Sequence, residues 1–236
     1  MKLNMNEKMM EKARERWTEI FNTLCSSFGS FYDFIDNPCG SYFDDWSREF
    51  EGSELYEDYE GELSWDSGIS KACFSFENEN YVIKIPFDDV SEDYCEREAQ
   101  MFVKAEENGV DEYFAETKKL MTYVYDNSFS VDVYISARAN MDYDLMSDMI
   151  DSYSHHNEFD PEVAEGEDEE TFDTLYSMNG SSFPAVKDVF EGSYPNGLED
   201  LWNFIIRLGI NDLHRGNVGF TINDKPVFID YSGYDC

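Results

Sequence analysis

Apolar side chains recur at three- and four-residue steps through Met9, Ala13, Trp17, Ile20, Phe21, Leu24 and Phe28. That spacing places them on one face of a helix over about residues 6–27. Residues 31–62 lose the period and crowd aromatics among acids, with Tyr32, Phe34, Tyr42, Phe43, Trp46, Phe50, Tyr56 and Tyr59. Irregular chain or short helical turns laid against a core are expected there. The period then becomes two. After the turn Ser67-Gly68-Ile69-Ser70, Ala72, Phe74 and Phe76 alternate with Lys71, Cys73 and Ser75, the mark of a half-buried strand. A polar turn, Glu77-Asn78-Glu79-Asn80, leads to a second strand, Tyr81-Val82-Ile83-Lys84-Ile85, which Pro86 ends because it lacks a ladder donor.

A helix is predicted over about 91–107, with Ser91 as its cap and Glu92 and Asp93 near its positive end. Cys95, Ala99, Phe102 and Ala105 form its apolar stripe, and Gly109 stops it. Two more strands, 117–124 and 129–136, flank the turn Asp126-Asn127-Ser128. Residues 142–153 read as a short helix. An acidic loop or insertion is expected over about 154–196; it holds His155, His156 and the run Glu165-Gly166-Glu167-Asp168-Glu169-Glu170. Near 197–209, Leu198, Leu201, Trp202, Ile205 and Leu208 mark an amphipathic helix ended by Gly209. Strands at 218–220 and 226–229 close around Asn223-Asp224-Lys225. No internal repeat is visible. The pattern predicts an α+β protein.

Hydrophobic residues make up 42% of the 236 positions and aromatics 17%, enough for a packed core. The charge changes the picture more. With 52 Asp and Glu against 17 Lys and Arg, the formal net charge is −35. Such a surface repels nucleic acid and anionic membranes and attracts basic partners. It is either a solvated acidic coat or an imitation of nucleic acid offered to a basic protein. The five cysteines, Cys25, Cys39, Cys73, Cys95 and Cys236, form no C-x-x-C pair; a reducing, cytoplasmic setting is expected. Neither a secretory leader nor an apolar run of membrane-spanning length is recognisable.

The candidate chemistry lies late in the chain. Asn211-Asp212-Leu213-His214-Arg215-Gly216-Asn217 precedes Val227-Phe228-Ile229-Asp230-Tyr231-Ser232. An Asp, an Asn five residues on and a second Asp beyond a short hairpin are the parts a phosphoryl-transfer site needs. The first Asp can orient a hydroxyl and take its proton. The Asn oxygen and the second Asp can hold magnesium, which often takes only one or two ligands from protein. Earlier, Lys84 interrupts an apolar strand, where a lysine either has a function or reaches solvent at an edge. Glu98 follows 14 residues later on the Cys95–Phe102 side of its helix; Glu96, on another face, is its rival as the lysine's partner.

Together the lysine strand Tyr81-Val82-Ile83-Lys84-Ile85-Pro86, Glu98, the loop Asp212–Asn217 and Asp230-Tyr231-Ser232 resemble the protein-kinase-like superfamily. His two residues after the Asp is similar to the aminoglycoside-phosphotransferase branch and to bacteriophage kinases. The arrangement most resembles the early serine/threonine kinases of T-odd bacteriophages, over roughly 63–234. The resemblance implies a two-lobed kinase-like fold with a reduced C-terminal lobe. It divides the chain into an N-terminal helical and aromatic extension (1–62), a sheet lobe (63–140) and a helical lobe carrying the acidic insertion (141–236).

By the same resemblance, ATP and Mg2+ would be the cofactors and host proteins the partners, in the host cytoplasm; the net charge of −35 is what points to basic surfaces on those partners. Asp212 would be the catalytic base, Asn217 and Asp230 the magnesium ligands, and Lys84 the α/β-phosphate contact paired with Glu98. Backbone amides around Gly68 and Ser70 would cover the phosphates. His214 would touch the γ-phosphate or brace its loop. The sequence departs from ordinary protein kinases in three ways. Asn211 replaces the Arg before the catalytic Asp, one Gly stands where three are usual, and no Ala-Pro-Glu motif follows Asp230. An active phosphotransferase and a catalytically silent acidic binding protein are both consistent with these features. A small-molecule kinase would need an acidic pocket beyond Asp230.

Overall fold

The computed structural model describes residues 1–28, 63–67, 70–87, 89–125, 129–154, 169–194 and 198–232. Among them are six α-helices: α1 (Glu7–Phe28), α2 (Asp89–Asn108), α3 (Tyr143–Ser154), α4 (Glu169–Asn179), α5 (Phe183–Ser193) and α6 (Glu199–Leu208). An antiparallel sheet joins β1 (Leu63–Ser67), β2 (Lys71–Phe76), β3 (Tyr81–Pro86), β4 (Thr117–Tyr125) and β5 (Phe129–Ala137) in the order β1-β2-β3-β5-β4. A separate hairpin pairs β6 (Val218–Phe220) with β7 (Pro226–Phe228). The protein is thus mixed α and β. No helix among the described residues is long and apolar enough to cross a membrane.

The chain forms two compact units. The sheet unit comprises Lys2–Ala99 and Thr117–Arg138; the helical unit comprises Met1, Gln100–Glu116 and Ala139–Cys236. These boundaries differ from a division at 62 and 140. Helix α1 belongs with the sheet, and residues 100–116 belong with the later helices. The reason is packing. Ala13, Trp17, Ile20 and Phe21 are all buried. The Trp17 ring lies 5.9 Å from that of Phe74 and 5.5 Å from that of Phe76, and Phe21 lies 5.2 Å from Tyr123. Burying a side chain such as Ile20 or Phe21 contributes about 1.5–3 kcal/mol, so α1 is held by its apolar face.

Alternation sorts the two sheet faces. Phe74 pairs with Ile83, and Ile83 with Ile135; this face meets α1. Cys73 pairs with Lys84, and Lys84 with Tyr134, on the opposite face. A bulge between Lys119 and Met121 shifts the β4 register. One extra residue reverses which face odd positions take. Thr117, before the bulge, therefore points to the Lys84 face, while Tyr123, beyond it, meets Phe21 on the α1 face.

The helical unit closes around Phe114, Leu175, Phe183, Val186, Phe190, Phe204, Ile205 and Phe228, all nearly or wholly buried. Phe190 stacks on Phe228 with centroids 4.3 Å apart. Two of its helices, α4 and α5, fall inside the span expected to be an acidic insertion. Phe172 and Leu175, then Phe183, Val186, Val189 and Phe190, recur at helical spacing and outweigh the charge beside them. The strand β1 was likewise unforeseen. Helix α2 begins at Asp89, so Ser91 lies inside its first turn and is not its cap position. The expectations for 31–62, Gly68, Asp126-Asn127-Ser128, His155 and His156 fall outside the described residues.

Candidate functional site

Lys84 sits mid-strand on β3 and is only 4% exposed. It therefore does not reach solvent at an edge. Its ammonium donates to Glu98 Oε1 from α2, and Glu98 is fully buried. The partner is Glu98 and not Glu96, which faces solvent. A second lysine, Lys71 at the start of β2, donates to Glu98 Oε2 at 3.2 Å and is also buried. Thr117 Oγ1 donates to Glu98 Oε1 at 2.6 Å and lies 2.8 Å from Ser136 Oγ. Burial pushes the Glu98 carboxyl up, but the Lys84 and Lys71 ammoniums and the hydrogen bonds from Lys84 and Thr117 outweigh it. The net effect holds Glu98 below its ordinary value. The carboxylate is thus ionised, and it fixes both lysines on one sheet face. Ser70 precedes Lys71; its carbonyl accepts from Phe87 N at 3.0 Å, tying Ser70 to the end of β3. Gly68 lies outside the described residues.

In the helical unit the chain is prepared for a sharp loop. Helix α6 ends at Gly209, whose φ of 66° suits glycine, and its N–H bonds back to Ile205 and Ile206 carbonyls. Ile210 and Leu213 are fully buried and bracket the partly exposed Asn211 and Asp212. Asp212 adopts φ 65°, a left-handed conformation that Asp tolerates better than most residues but that still carries strain. Asn217 Nδ2 donates to the Asp212 carbonyl at 2.8 Å. With its amide nitrogen committed, Asn217 retains its side-chain oxygen as the donor a hard cation needs.

His214 Nδ1 accepts from Gly216 N at 3.0 Å, and its Nε2 lies 3.7 Å from Asp212 Oδ1. That arrangement braces the loop. Gly216 is required for it, since a Cβ there would stand 2.9 Å from the imidazole Cε1. Asp230 follows β7. Beside it Tyr231 is buried, donating to the Ala115 carbonyl at 2.7 Å and setting its ring 4.9 Å from that of Phe114. Ile229 N donates to Asn217 O at 2.9 Å, joining the two candidate magnesium-bearing segments.

Burial raises the Asp212 carboxyl, and Asp230 adds to the rise, while His214 and the Asn217 hydrogen bond oppose it; the net shift is upward. A carboxylate beside a second acid is suited to accepting a proton and to sharing a cation. The donors present (one carboxylate and one amide oxygen, with water and phosphate to complete the shell) fit magnesium. Among the described residues no three or more His, Cys, Asp or Glu side chains cluster as a metal cage would.

The structure therefore groups Lys84 with Glu98 in the sheet unit, and Asp212, His214, Asn217 and Asp230 in the helical unit. Sequence reasoning missed Lys71, Thr117, Ser136 and Asn179. Asn179, at the end of α4, is buried; it accepts from Leu213 N at 2.8 Å and donates to Leu175 O at 3.0 Å. It thereby fixes the backbone beside Asp212. Its only sequence signal was the Asn-Gly pair that ends a helix. Lys71 shared the alternation of Cys73 and so faced the same way as Lys84. No protein-family model matches the chain, and no curated protein matches it.

Proposed function

We propose that this chain is a magnesium- and ATP-dependent phosphotransferase with a two-lobed protein-kinase-like fold and a reduced C-terminal lobe. It transfers the γ-phosphate to serine or threonine of host proteins bearing basic surfaces. The observation that carries the reading is the buried Lys84–Glu98 pair. A lysine on the third strand, held by a glutamate of the next helix, is how protein kinases fix the cation that meets the α/β-phosphates. Three further features support it: the strand–strand–strand–helix–strand–strand order, the Asp212-to-Asn217 loop that follows α6, and Asp230 after the β6–β7 hairpin.

On this reading Asp212 orients the acceptor hydroxyl and takes its proton. Asn217 and Asp230 hold magnesium, which would neutralise charge on the phosphates. His214 and Asn179 keep the loop in shape. Phosphoryl transfer asks mainly for positioning and charge stabilisation, which a small scaffold can supply. Radiolabelled ATP transfer to host lysate, with magnesium, tests the proposal. Transfer abolished by Asp212→Ala and by Lys84→Met supports it; wild-type protein that neither binds nor consumes MgATP ends it.

The net charge of −35 favours a second reading, a catalytically silent kinase-like protein whose acidic surface engages a basic host factor. Inhibition of such a factor that survives Asp212→Ala would select that reading.

A further inference from the structure

We infer that Thr117, with Ser136 behind it, is a positioning residue that sets the Glu98 carboxylate and, through it, the Lys84 ammonium for the phosphates. The inference rests on the phosphotransferase reading and extends it to two hydroxyls which that reading does not use. Thr117 and Ser136 are cross-strand partners on β4 and β5. Ser136 stands two positions from Tyr134, the partner of Lys84 on β3, so these side chains share one sheet face. Ser136, Thr117 and Glu98 are each at most 2% exposed.

The direction of this relay follows from its protons. An ionised carboxylate only accepts. The single Thr117 hydroxyl proton therefore goes to Glu98 Oε1 at 2.6 Å, the length of a hydroxyl bonded to a charged oxygen. Across the 2.8 Å between Thr117 Oγ1 and Ser136 Oγ, Ser136 is then the donor and Thr117 the acceptor. Stiffness gives the relay its role. A lysine ammonium sits on a flexible stem, so Lys84 takes its place from the carboxylate and does not fix it. Threonine is short and restricted at χ1, and both hydroxyls grow from paired strands. Helix α2 leaves the sheet unit after Ala99, the residue that follows Glu98. At that point the relay fastens the carboxylate to β4 and β5.

The test is a double-mutant cycle on the full chain. It reads MgATP affinity in wild type, Thr117→Val, Thr117→Ser, Lys84→Met and the double variant Lys84→Met with Thr117→Val. Thr117→Val keeps the shape and removes the hydroxyl; it is expected to weaken MgATP about tenfold, the size of a lost hydrogen bond to a charged group. Thr117→Ser, which keeps the hydroxyl, should stay near wild type. Added to Lys84→Met, Thr117→Val should cost little more, because Lys84 is what it positions. Equal losses in both backgrounds would mark Thr117 as merely structural. An unchanged MgATP affinity in a folded Thr117→Val protein would also overturn the inference; if Lys84→Met still weakens MgATP in that case, the phosphotransferase reading survives alone. Wild type that binds no MgATP defeats both.

Two spectroscopic readouts accompany the cycle. The nitrogen-15 signal of the Lys84 ammonium should move in Thr117→Val and return in Thr117→Ser; an unmoved signal would overturn the inference. In the unaltered chain, where variant folding does not enter, the Thr117 hydroxyl proton should exchange slowly with water. Exchange as fast as that of an exposed hydroxyl would overturn the inference.

Discussion

Replacing Glu98 by Gln keeps the side chain's size and removes its charge. Two ammoniums, on Lys71 and Lys84, then lose the carboxylate that holds them in a buried place. Breaking a buried pair by removing one partner costs about 3–5 kcal/mol, a large share of the roughly 5–15 kcal/mol that stabilises a typical domain. At a urea slope of about 2 kcal/mol/M, a loss of about 4 kcal/mol moves the midpoint down by about 2 M. Hydrogen exchange at the β2 and β3 amides, followed through urea, reads the sheet unit specifically.

The pH dependence has a definite sign. The fold holds Glu98 below its ordinary 4.5, so its contribution is complete above that pH. It is lost as pH falls from 4.5 through the lowered folded value. Wild type should show this acid loss and Glu98→Gln, which has no carboxyl there, should lack it. A Glu98→Gln protein within about 0.5 kcal/mol of wild type, a shift usual for an unimportant surface site, would refute the account of the cluster.

Other changes probe the loop and hairpin. The Asp212 carboxyl should titrate above 3.8 by carbon-13 NMR and move down in Asp230→Asn, which removes a neighbouring like charge; an unmoved midpoint would show that Asp230 does not act on it. Because the folded value is the higher one, this carboxyl favours the fold at low pH and opposes it as pH rises through that value. Asp212→Asn should therefore raise the melting temperature at neutral pH. Asn179→Leu leaves the Leu213 N–H without its partner. A loss of about 1–3 kcal/mol is expected, with faster amide exchange at Leu213 as its local sign. Gly219→Ala brings a Cβ to 2.6 Å from Ala139 Cβ and 3.2 Å from Ile229 Cγ2. Overpacking of this kind costs about 1–3 kcal/mol, and Ala139→Gly should restore part of the lost melting temperature.

Local pattern carried much of this fold. Trp17 and Phe21 announced α1 by spacing, and Phe74, Phe76 and Ile83 announced two strands by alternation. The pairing of Lys84 with Glu98 was legible because both break an apolar pattern at points where a strand and a helix would bury them. Charge obscured the rest. Glu169 and Glu170 open α4, yet together with the preceding acids they read as a solvated run, and the Phe172–Leu175 spacing beneath them was too short to stand out. The face reversal at Lys119–Met121 depends on one extra residue, which no periodicity reveals. Asn179 depends on tertiary contact: it meets Leu213 across 34 positions, a distance at which sequence pattern gives no information.

The acidity of the chain and its buried lysines fit together physically. At 0.1 M salt the screening length is about 10 Å, so most of the 52 acidic side chains act weakly on any one buried group. Lys71 and Lys84 lie in a medium where screening is far less effective, and they sit within bonding distance of the carboxylate that orders them. On the phosphotransferase reading, long-range repulsion would govern how fast the polyanion arrives, and the ordered ammoniums how long it stays. A polyanionic ligand and a strongly acidic surface are compatible on that division, provided the cations are local, buried and fixed, as Glu98 makes these two.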